Sequence, residues 1–200
     1  SACLVGSEMC IRDRLSKQLK NLLAMDMIAK VYPINRGNDN KKVTYELTDN
    51  LMRFWYTYVY HNKGALRMLG AEAFYENYIA PTLTTVVAHR FEEIARTYFS
   101  LQVKEGKQKG ILNIGTYYYD DPVRKTNGEF DVALQKQSGY ELYEVKYLTS
   151  PLTEKAMREE ELQVKAIQGM DIVRMGFVSI SGFETRPSEF ECIDGQALYE

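Results

Sequence analysis

The chain has 200 residues, of which 45% are hydrophobic and 26% are charged, and its formal net charge is -2. This length and composition suit a globular protein of one domain or two small ones. The balanced charge argues against a surface that binds nucleic acid throughout, so any such surface must be local. No apolar run approaches the roughly 20 residues of a membrane span, and we expect no membrane partner.

Cysteine and histidine usage excludes further classes of protein. Cys3 and Cys10 lie in the first ten residues and Cys192 near the end, which is no disulfide framework and fits a reducing, cytoplasmic location. His61 and His89 are too few and too isolated for a zinc site. The sequence has no Gly-x-x-x-x-Gly-Lys-Ser/Thr loop, so we expect this chain alone not to bind ATP through a P-loop.

Residues 1–14 have no hydrophobic period and no signal-peptide pattern. They resemble a translated sequencing-adapter fragment, and we expect them to be extraneous or disordered. The pattern that predicts the fold begins at about Leu15.

Residues 15–60 are predicted to contain a helix followed by a β-hairpin. Leucines between residues 15 and 23 follow helical spacing, residues 28–32 and 42–47 have strand patterns, and residues 35–40 form a polar turn. Helix and hairpin are the second half of a winged helix, and the local basic excess suits contacts with phosphates. A winged helix can equally be a protein-packing module, so both interpretations stay open. The candidate phosphate contacts are Lys17, Lys20, Lys41 and Lys42.

The middle of the chain is predicted to be helical. Thr48-Asp49 caps a helix whose aromatic stripe, within Leu51–Val59, is expected to be core. Residues 61–82 are predicted to form a helical connector. Pro81 suits the first turn of the next helix, which carries Glu92 beside its buried face.

The stretches Gly128–Leu134 and Tyr140–Lys146 alternate with period two and predict a β-hairpin. If residues 136–139 form the loop, Gln135 pairs with Tyr140. Asp131 then lies opposite Glu144, and Glu129 lies opposite Lys146. In this register Phe130, Val132, Leu134, Tyr143 and Val145 share the opposite, apolar face.

Two carboxylates directly across a strand pair repel one another. A divalent cation between Asp131 and Glu144 would remove that cost, because hard cations prefer oxygen ligands. Lys146 lies on the same predicted face, within reach of a metal-bound water. The alternative is a solvated strand face with a weak Glu129–Lys146 ion pair.

The second half of the chain, residues 83–200, is predicted to run helix, three strands, helix, strand. Helices covering a mixed sheet form an α/β layer architecture. The order of Glu92, Asp131 and Glu144-x-Lys146 on these elements resembles the PD-(D/E)XK nuclease, or restriction-endonuclease-like, fold. From about Leu15 to its end, the chain resembles the C-terminal part of the archaeal-type DEXX-box ATPases. The matching stretches are Tyr45–Tyr56, Phe91–Ala95, Gly128–Asp131, Tyr143–Lys146 and Gly176–Ser179.

The resemblance implies a partial, truncated winged helix at residues 15–60 and a nuclease-like domain at residues 83–200, with a P-loop ATPase domain upstream. It further implies that Asp131 and Glu144 ligate Mg²⁺ or Mn²⁺, with help from the Val145 carbonyl and, through water, from Glu92. Lys146 would orient or deprotonate the attacking water and steady charge on the phosphate.

Two functions follow as hypotheses. The first is a metal-dependent nuclease that hydrolyses phosphodiester bonds, with DNA favoured over RNA as the substrate. The second is a non-catalytic module of the ATPase that binds nucleic acid or regulates the ATPase. The opposed carboxylates favour the first hypothesis. The second is favoured because the nuclease-like domain, residues 83–200, is not basic.

Overall fold

A computed structural model describes residues 15–37, 39, 41–121, 126–165, 167 and 169–199. The expectation for residues 1–14 lies outside these residues. None of the helices within these residues combines the length and the hydrophobicity that a membrane span requires. The chain divides into two compact units, Ser1–Val31 with Asn40–Pro81 and Tyr32–Asp39 with Thr82–Glu200.

The first unit contains the predicted helix and β-hairpin. Helix α1 spans residues 15–24, and strands β1 (Ile28–Val31) and β2 (Thr44–Leu47) pair antiparallel. Helix α2 (Asn50–Phe54) follows, and its cap is the predicted one, because the Asp49 carboxylate accepts a hydrogen bond from the Met52 N–H at 2.7 Å. The helix, the hairpin and the cap are therefore confirmed.

The rest of the first unit is helical. Beyond α2 the chain forms a π-helical turn (Trp55–Val59), a 3-10 turn (Tyr60–Asn62), helix α3 (Lys63–Phe74) and a second π-helical turn (Tyr75–Ile79). The aromatic stripe was expected in the core, but only its Tyr58 and Val59 are buried. Leu51, at 75% exposure, is surface, so that expectation is wrong at this position.

The second unit is an α/β structure around one five-stranded sheet. Helix α4 (Ala80–Lys104) leads into it, and the sheet has the strand order β3-β4-β5-β6-β7. Strands β3, β4 and β5 are antiparallel neighbours, whereas β5, β6 and β7 are parallel, so the predicted mixed sheet is confirmed. The elements after α4 are β3 (Asn113–Asp121), β4 (Thr126–Lys136), β5 (Gly139–Lys146), α5 (Glu154–Lys165), β6 (Ile172–Ser179), β7 (Glu191–Asp194) and a 3-10 turn (Ala197–Tyr199).

Apolar side chains cover both faces of the sheet. On one face, Phe91, Ala95 and Phe99 of α4 pack on a buried cluster from β4, β5, β6 and β7. On the other face, Met157 and Val164 of α5 pack on a second buried cluster. Because β5, α5 and β6 form a parallel crossover, α5 lies over the sheet it connects. The predicted flanking helices are confirmed.

A short segment of the β1–β2 connection belongs to this second unit. Its 3-10 turn, Ile34–Arg36, packs on β3, where the Asn35 amide donates to the Tyr118 carbonyl at 2.7 Å and accepts from the Tyr118 N–H at 3.1 Å. A Cβ on Gly115 would lie 2.6 Å from the Ile34 side chain. Glycine at residue 115 therefore permits this close approach.

Candidate functional site

The β4–β5 hairpin has the predicted register over its inner part. Gln135 lies opposite Tyr140 and Val132 opposite Tyr143. Because residue 136 also pairs with residue 139, the turn has two residues rather than the four we predicted. The ladder ends at the Val132 pair, one residue short of the predicted pairing of Asp131 with Glu144.

A β-bulge interrupts β4 at this point. Against β3, Ala133 pairs with Gly115 and Phe130 pairs with Tyr117, so two residues of β4, Asp131 and Val132, lie opposite Thr116 alone. An extra residue of this kind shifts the side-chain alternation and bends the strand. Val132 therefore packs under α4, whereas Phe130 packs on the α5 face. Our prediction that Phe130 shares a face with Val132 and Leu134 is wrong for this reason.

The side-chain carboxylate and the main-chain carbonyl of Asp131 both accept hydrogen bonds. Its carboxylate accepts a hydrogen bond from the Val145 N–H at 3.0 Å, and its main-chain carbonyl accepts from the Arg96 guanidinium at 2.8 Å. A bulge leaves main-chain groups without ladder partners, and these two contacts supply partners. Arg96 was missed by the sequence reasoning, although its position four residues after Glu92 on one helix was a usable signal.

Asp131 lies in surroundings that disfavour its charge. Burial, with a smaller contribution from the negative charge of Glu92, raises the pKa of Asp131 to about 6. The hydrogen bond from Val145 and the positive charges of Lys146 and Arg96 oppose that rise. The carboxylate is therefore held near acidic groups in a site that stabilises its anion incompletely.

Glu144 is the second such carboxylate, with a side chain only 14% exposed. Burial first, and then the charge of Asp131, raises the pKa of Glu144 to about 7, and Glu160 adds to the effect. The charge of Asp131 thus disfavours ionisation of Glu144, which is the repulsion we predicted, although the two residues are not a ladder pair.

Lys146 lies between two carboxylates. Its Nζ is 2.6 Å from Glu160 Oε1 on α5 and 3.4 Å from Glu144 Oε2. Burial acts to lower the pKa of Lys146, but the hydrogen bond to Glu160 and the charges of Glu144 and Glu160 outweigh burial and raise it. The side chain is thus an ammonium, which can steady a negative charge but cannot accept a proton.

Glu160 was missed by the sequence reasoning. It lies three residues after Met157 and four before Val164, both buried, so helical spacing places it beside the packed face of α5. Ser179 was recognised only as part of a motif. It lies opposite Lys146 on β6 and is fully buried, and its hydroxyl has no hydrogen-bond partner within the described residues.

Glu92 and Glu129, the remaining acidic residues of interest, are more open. Glu92 is 27% exposed and lies 3.3 Å from the ring of His89, which is 68% exposed and so lies on the surface of the helix. Glu129 is exposed and pairs with Tyr118 on β3. The ion pairs of Lys146 are formed with Glu144 and Glu160, so the alternative of a Glu129–Lys146 pair is wrong.

The four lysines predicted to contact phosphates all lie in the first unit. Lys17 and Lys20 are exposed on α1, Lys41 is exposed in the turn before β2, and Lys42 is half-buried in the same turn. The carboxylates lie in the second unit.

The acidic residues fit one kind of metal site better than others. Among the described residues there is no group of three or more His, Cys, Asp and Glu side chains that could hold a metal ion. Mg²⁺ usually keeps several waters and takes only one or two protein carboxylates together with substrate phosphates. Asp131 and Glu144 are two carboxylates, as in that smaller set, and burial together with neighbouring acidic charges leaves their charges incompletely compensated.

Comparison with known proteins matches the chain to a family of unknown function. A family model, DUF234, described as archaeal and bacterial proteins of unknown function, matches residues 55–161. These residues include Glu92, Asp131, Glu144, Lys146 and Glu160. No curated protein and no solved structure matches the chain. The family match is consistent with the DEXX-box ATPase resemblance and carries no information about nuclease activity.

Proposed function

The chain belongs to the DUF234 family of archaeal and bacterial proteins, and from that premise we propose that its second unit is a Mg²⁺- or Mn²⁺-dependent phosphodiesterase that acts on nucleic acid. We further propose that the sheet is of the restriction-endonuclease-like type and that α1 with the β1–β2 hairpin is part of a winged helix. A P-loop ATPase domain is the proposed partner of both units.

The observation that carries the proposal is the excess of negative charge around Lys146. Two carboxylates with raised pKa values, Asp131 and Glu144, share one site with Glu160 and Glu92. Burying anions without compensation is costly, and a divalent cation would supply the missing charge. Asp131 is, in addition, the extra residue of a bulge, which the pairing of the sheet does not require.

Each residue has a distinct proposed role. Asp131 and Glu144 would hold the cation, which lowers the pKa of a bound water and neutralises charge on the phosphate. Lys146 is an ammonium, so it would steady the phosphate oxygens and orient the water rather than remove its proton. Glu92, which is partly exposed, would contact the ion's hydration shell and could accept a proton from it.

Cleavage assays with matched variants test this proposal. Supercoiled plasmid, single-stranded DNA and RNA are incubated with the full chain in Mg²⁺, Mn²⁺ or EDTA. We expect the wild type to cleave in the presence of Mg²⁺ or Mn²⁺ and not in EDTA. The variants Glu144→Gln and Lys146→Ala should not cleave. Glu129→Gln, which removes an exposed charge from the same hairpin, should cleave normally. Cleavage that survives both site variants would overturn the assignment.

The second candidate function is nucleic-acid binding without cleavage, favoured by four lysines of the first unit, of which Lys17, Lys20 and Lys41 are exposed. Replacing Lys17, Lys20, Lys41 and Lys42 by Ala should weaken DNA binding for all sequences and flatten its dependence on salt, because fewer counterions are released. Unchanged binding would leave this unit as a packing module. Binding that persists with no cleavage in any metal would favour the non-catalytic function.

A further inference from the structure

The ammonium of Lys146 is not shared equally between its two carboxylate neighbours. The distance from Nζ to Glu160 Oε1 is 2.6 Å, whereas the distance to Glu144 Oε2 is 3.4 Å. The shorter distance is that of a strong charge-assisted hydrogen bond, and the longer one is a weaker contact. Lys146 is therefore bound mainly to α5, away from the carboxylate on its own strand.

The contact between Lys146 and Glu160 joins two fixed elements. The side chains are 26% and 25% exposed, so the pair is partly shielded from solvent. Met157 and Val164, on the same face of α5, are buried in the sheet's apolar cluster and hold the helix in place. Lys146 is held by β5, which pairs with strands on both sides. The ion pair is thus part of the packed structure and not a chance surface contact.

We propose that Glu160 is a positioning residue that draws Lys146 toward α5 and so keeps Glu144 available to a divalent cation. Without Glu160, Glu144 is the remaining ion-pair partner of Lys146. The ammonium would then move onto Glu144 and compete with the ion for the same oxygens. This inference rests on the proposed function, since it concerns the same cation site.

The test is a comparison of Mn²⁺ affinity, measured by calorimetry on the full chain, in two backgrounds. Glu160→Gln should weaken binding roughly 10-fold, the low end of what loss of a ligand-orienting partner costs. Glu160→Ala should weaken it at least as much. Glu159→Gln is the matched control, because it removes the same charge from an exposed position on the same helix. When Lys146 is replaced by Met, Glu160→Gln should change the Mn²⁺ affinity no more than Glu159→Gln does.

Two outcomes would overturn the positioning role. Glu160→Gln could leave the affinity unchanged, or it could weaken binding equally with and without Lys146, in which case Glu160 acts on the ion directly. A metal-free measurement separates this failure from failure of the proposed function. In EDTA, the melting-temperature changes of Lys146→Met and Glu160→Gln should be non-additive, and those of Lys146→Met and Glu159→Gln additive. If the protein does not bind Mn²⁺ but the melting-temperature changes are still non-additive, the cation site is rejected, whereas the ion pair between Lys146 and Glu160 is supported.

Discussion

Two carboxylates on β5, three residues apart, have opposite charge surroundings. Glu141 is 3% exposed, and its neighbours are Lys136 at 2.6 Å and Arg174 at 3.8 Å. Arg174 also binds Glu191, so that group contains two carboxylates and two cations. Around Glu144, four carboxylates, those of Glu92, Asp131, Glu144 and Glu160, share the cations of Lys146 and Arg96.

The contrast is between a buried carboxylate whose charge is paired and one whose charge is not. A buried charge is tolerated when it is paired, as Glu141 is. The group around Glu144 has an excess of two carboxylates, which makes the metal-free site unfavourable and gives a cation something to stabilise. The same strand therefore carries a balanced group, around Glu141, and an unbalanced group at the proposed cation site, around Glu144.

The largest effect should come from breaking the balanced group. Lys136→Met leaves Glu141 buried with only the more distant Arg174, and we expect the free energy of unfolding to fall by about 3 kcal/mol. Urea unfolding followed by circular dichroism measures this, since the single tryptophan, Trp55, lies in the first unit. Adding Glu141→Leu to this variant should restore most of the loss. An unchanged midpoint for Lys136→Met would mean that Glu141 needs no partner.

In the unbalanced group around Glu144, removing negative charge should raise the free energy of unfolding instead of lowering it. The folded pKa values of Asp131 (about 6) and Glu144 (about 7) exceed ordinary carboxyl values. The folded state therefore binds more protons than the unfolded state between pH 4 and 7, and this contribution to stability is lost as pH rises through 6 and 7. Asp131→Asn with Glu144→Gln should be more stable than wild type by on the order of 2 kcal/mol at pH 8.

Measured against pH, the difference in unfolding free energy between that double variant and wild type should be near zero at pH 4 and grow up to pH 8. Glu129→Gln, an exposed change on the same hairpin, should show no such growth. A difference that shrinks as pH rises would contradict the raised pKa values.

A bound cation should offset part of the destabilisation that the ionised carboxylates of Asp131 and Glu144 cause. At a Mn²⁺ concentration ten times its dissociation constant, an ion that binds only the folded protein adds about 1.4 kcal/mol of stability. Differential scanning calorimetry should show this gain in wild type and in Lys146→Ala, and little of it in Asp131→Asn. Equal gains in all three proteins would place the ion elsewhere.

The smallest effect is expected from the most open member of the group. Glu92→Gln removes one repelling charge near Asp131, so the pKa of Asp131 should fall by less than about one unit. A ¹³C NMR titration of the aspartate carboxyls measures it. The control is Glu93→Gln, one residue further round α4, which should leave the pKa of Asp131 where it is. A rise in that pKa would show that Glu92 is not a repelling neighbour.

Local spacing was enough to predict the hairpin register from Gln135 to Val132 and to bring Asp131, Glu144 and Lys146 to one region, but it did not predict the bulge at Asp131. It could not identify Glu160, because Glu159, Glu160 and Glu161 are adjacent and helical spacing alone leaves either Glu160 or Glu161 beside the buried face. Strand β7 was missed, since its sequence, Glu191-Cys192-Ile193-Asp194, places the two apolar residues side by side and does not alternate. The β1–β2 connection was predicted only as a turn, because its attachment to Tyr118 joins residues 83 positions apart.

The bulge in β4 shifts the alternation of side chains between the two faces of the sheet. Residues before Asp131 alternate in one phase, and residues from Val132 onward alternate in the other. Deleting Asp131 alone would join the two parts in a single phase, because Phe130 and Val132 already lie on opposite faces, as adjacent residues of a strand do. Thr116 would then lie opposite Val132 in an unbroken ladder with β3. A natural relative shorter by this one residue would be expected to keep both apolar layers and to have lost the carboxylate, and an alignment would show its loss only as a single gap.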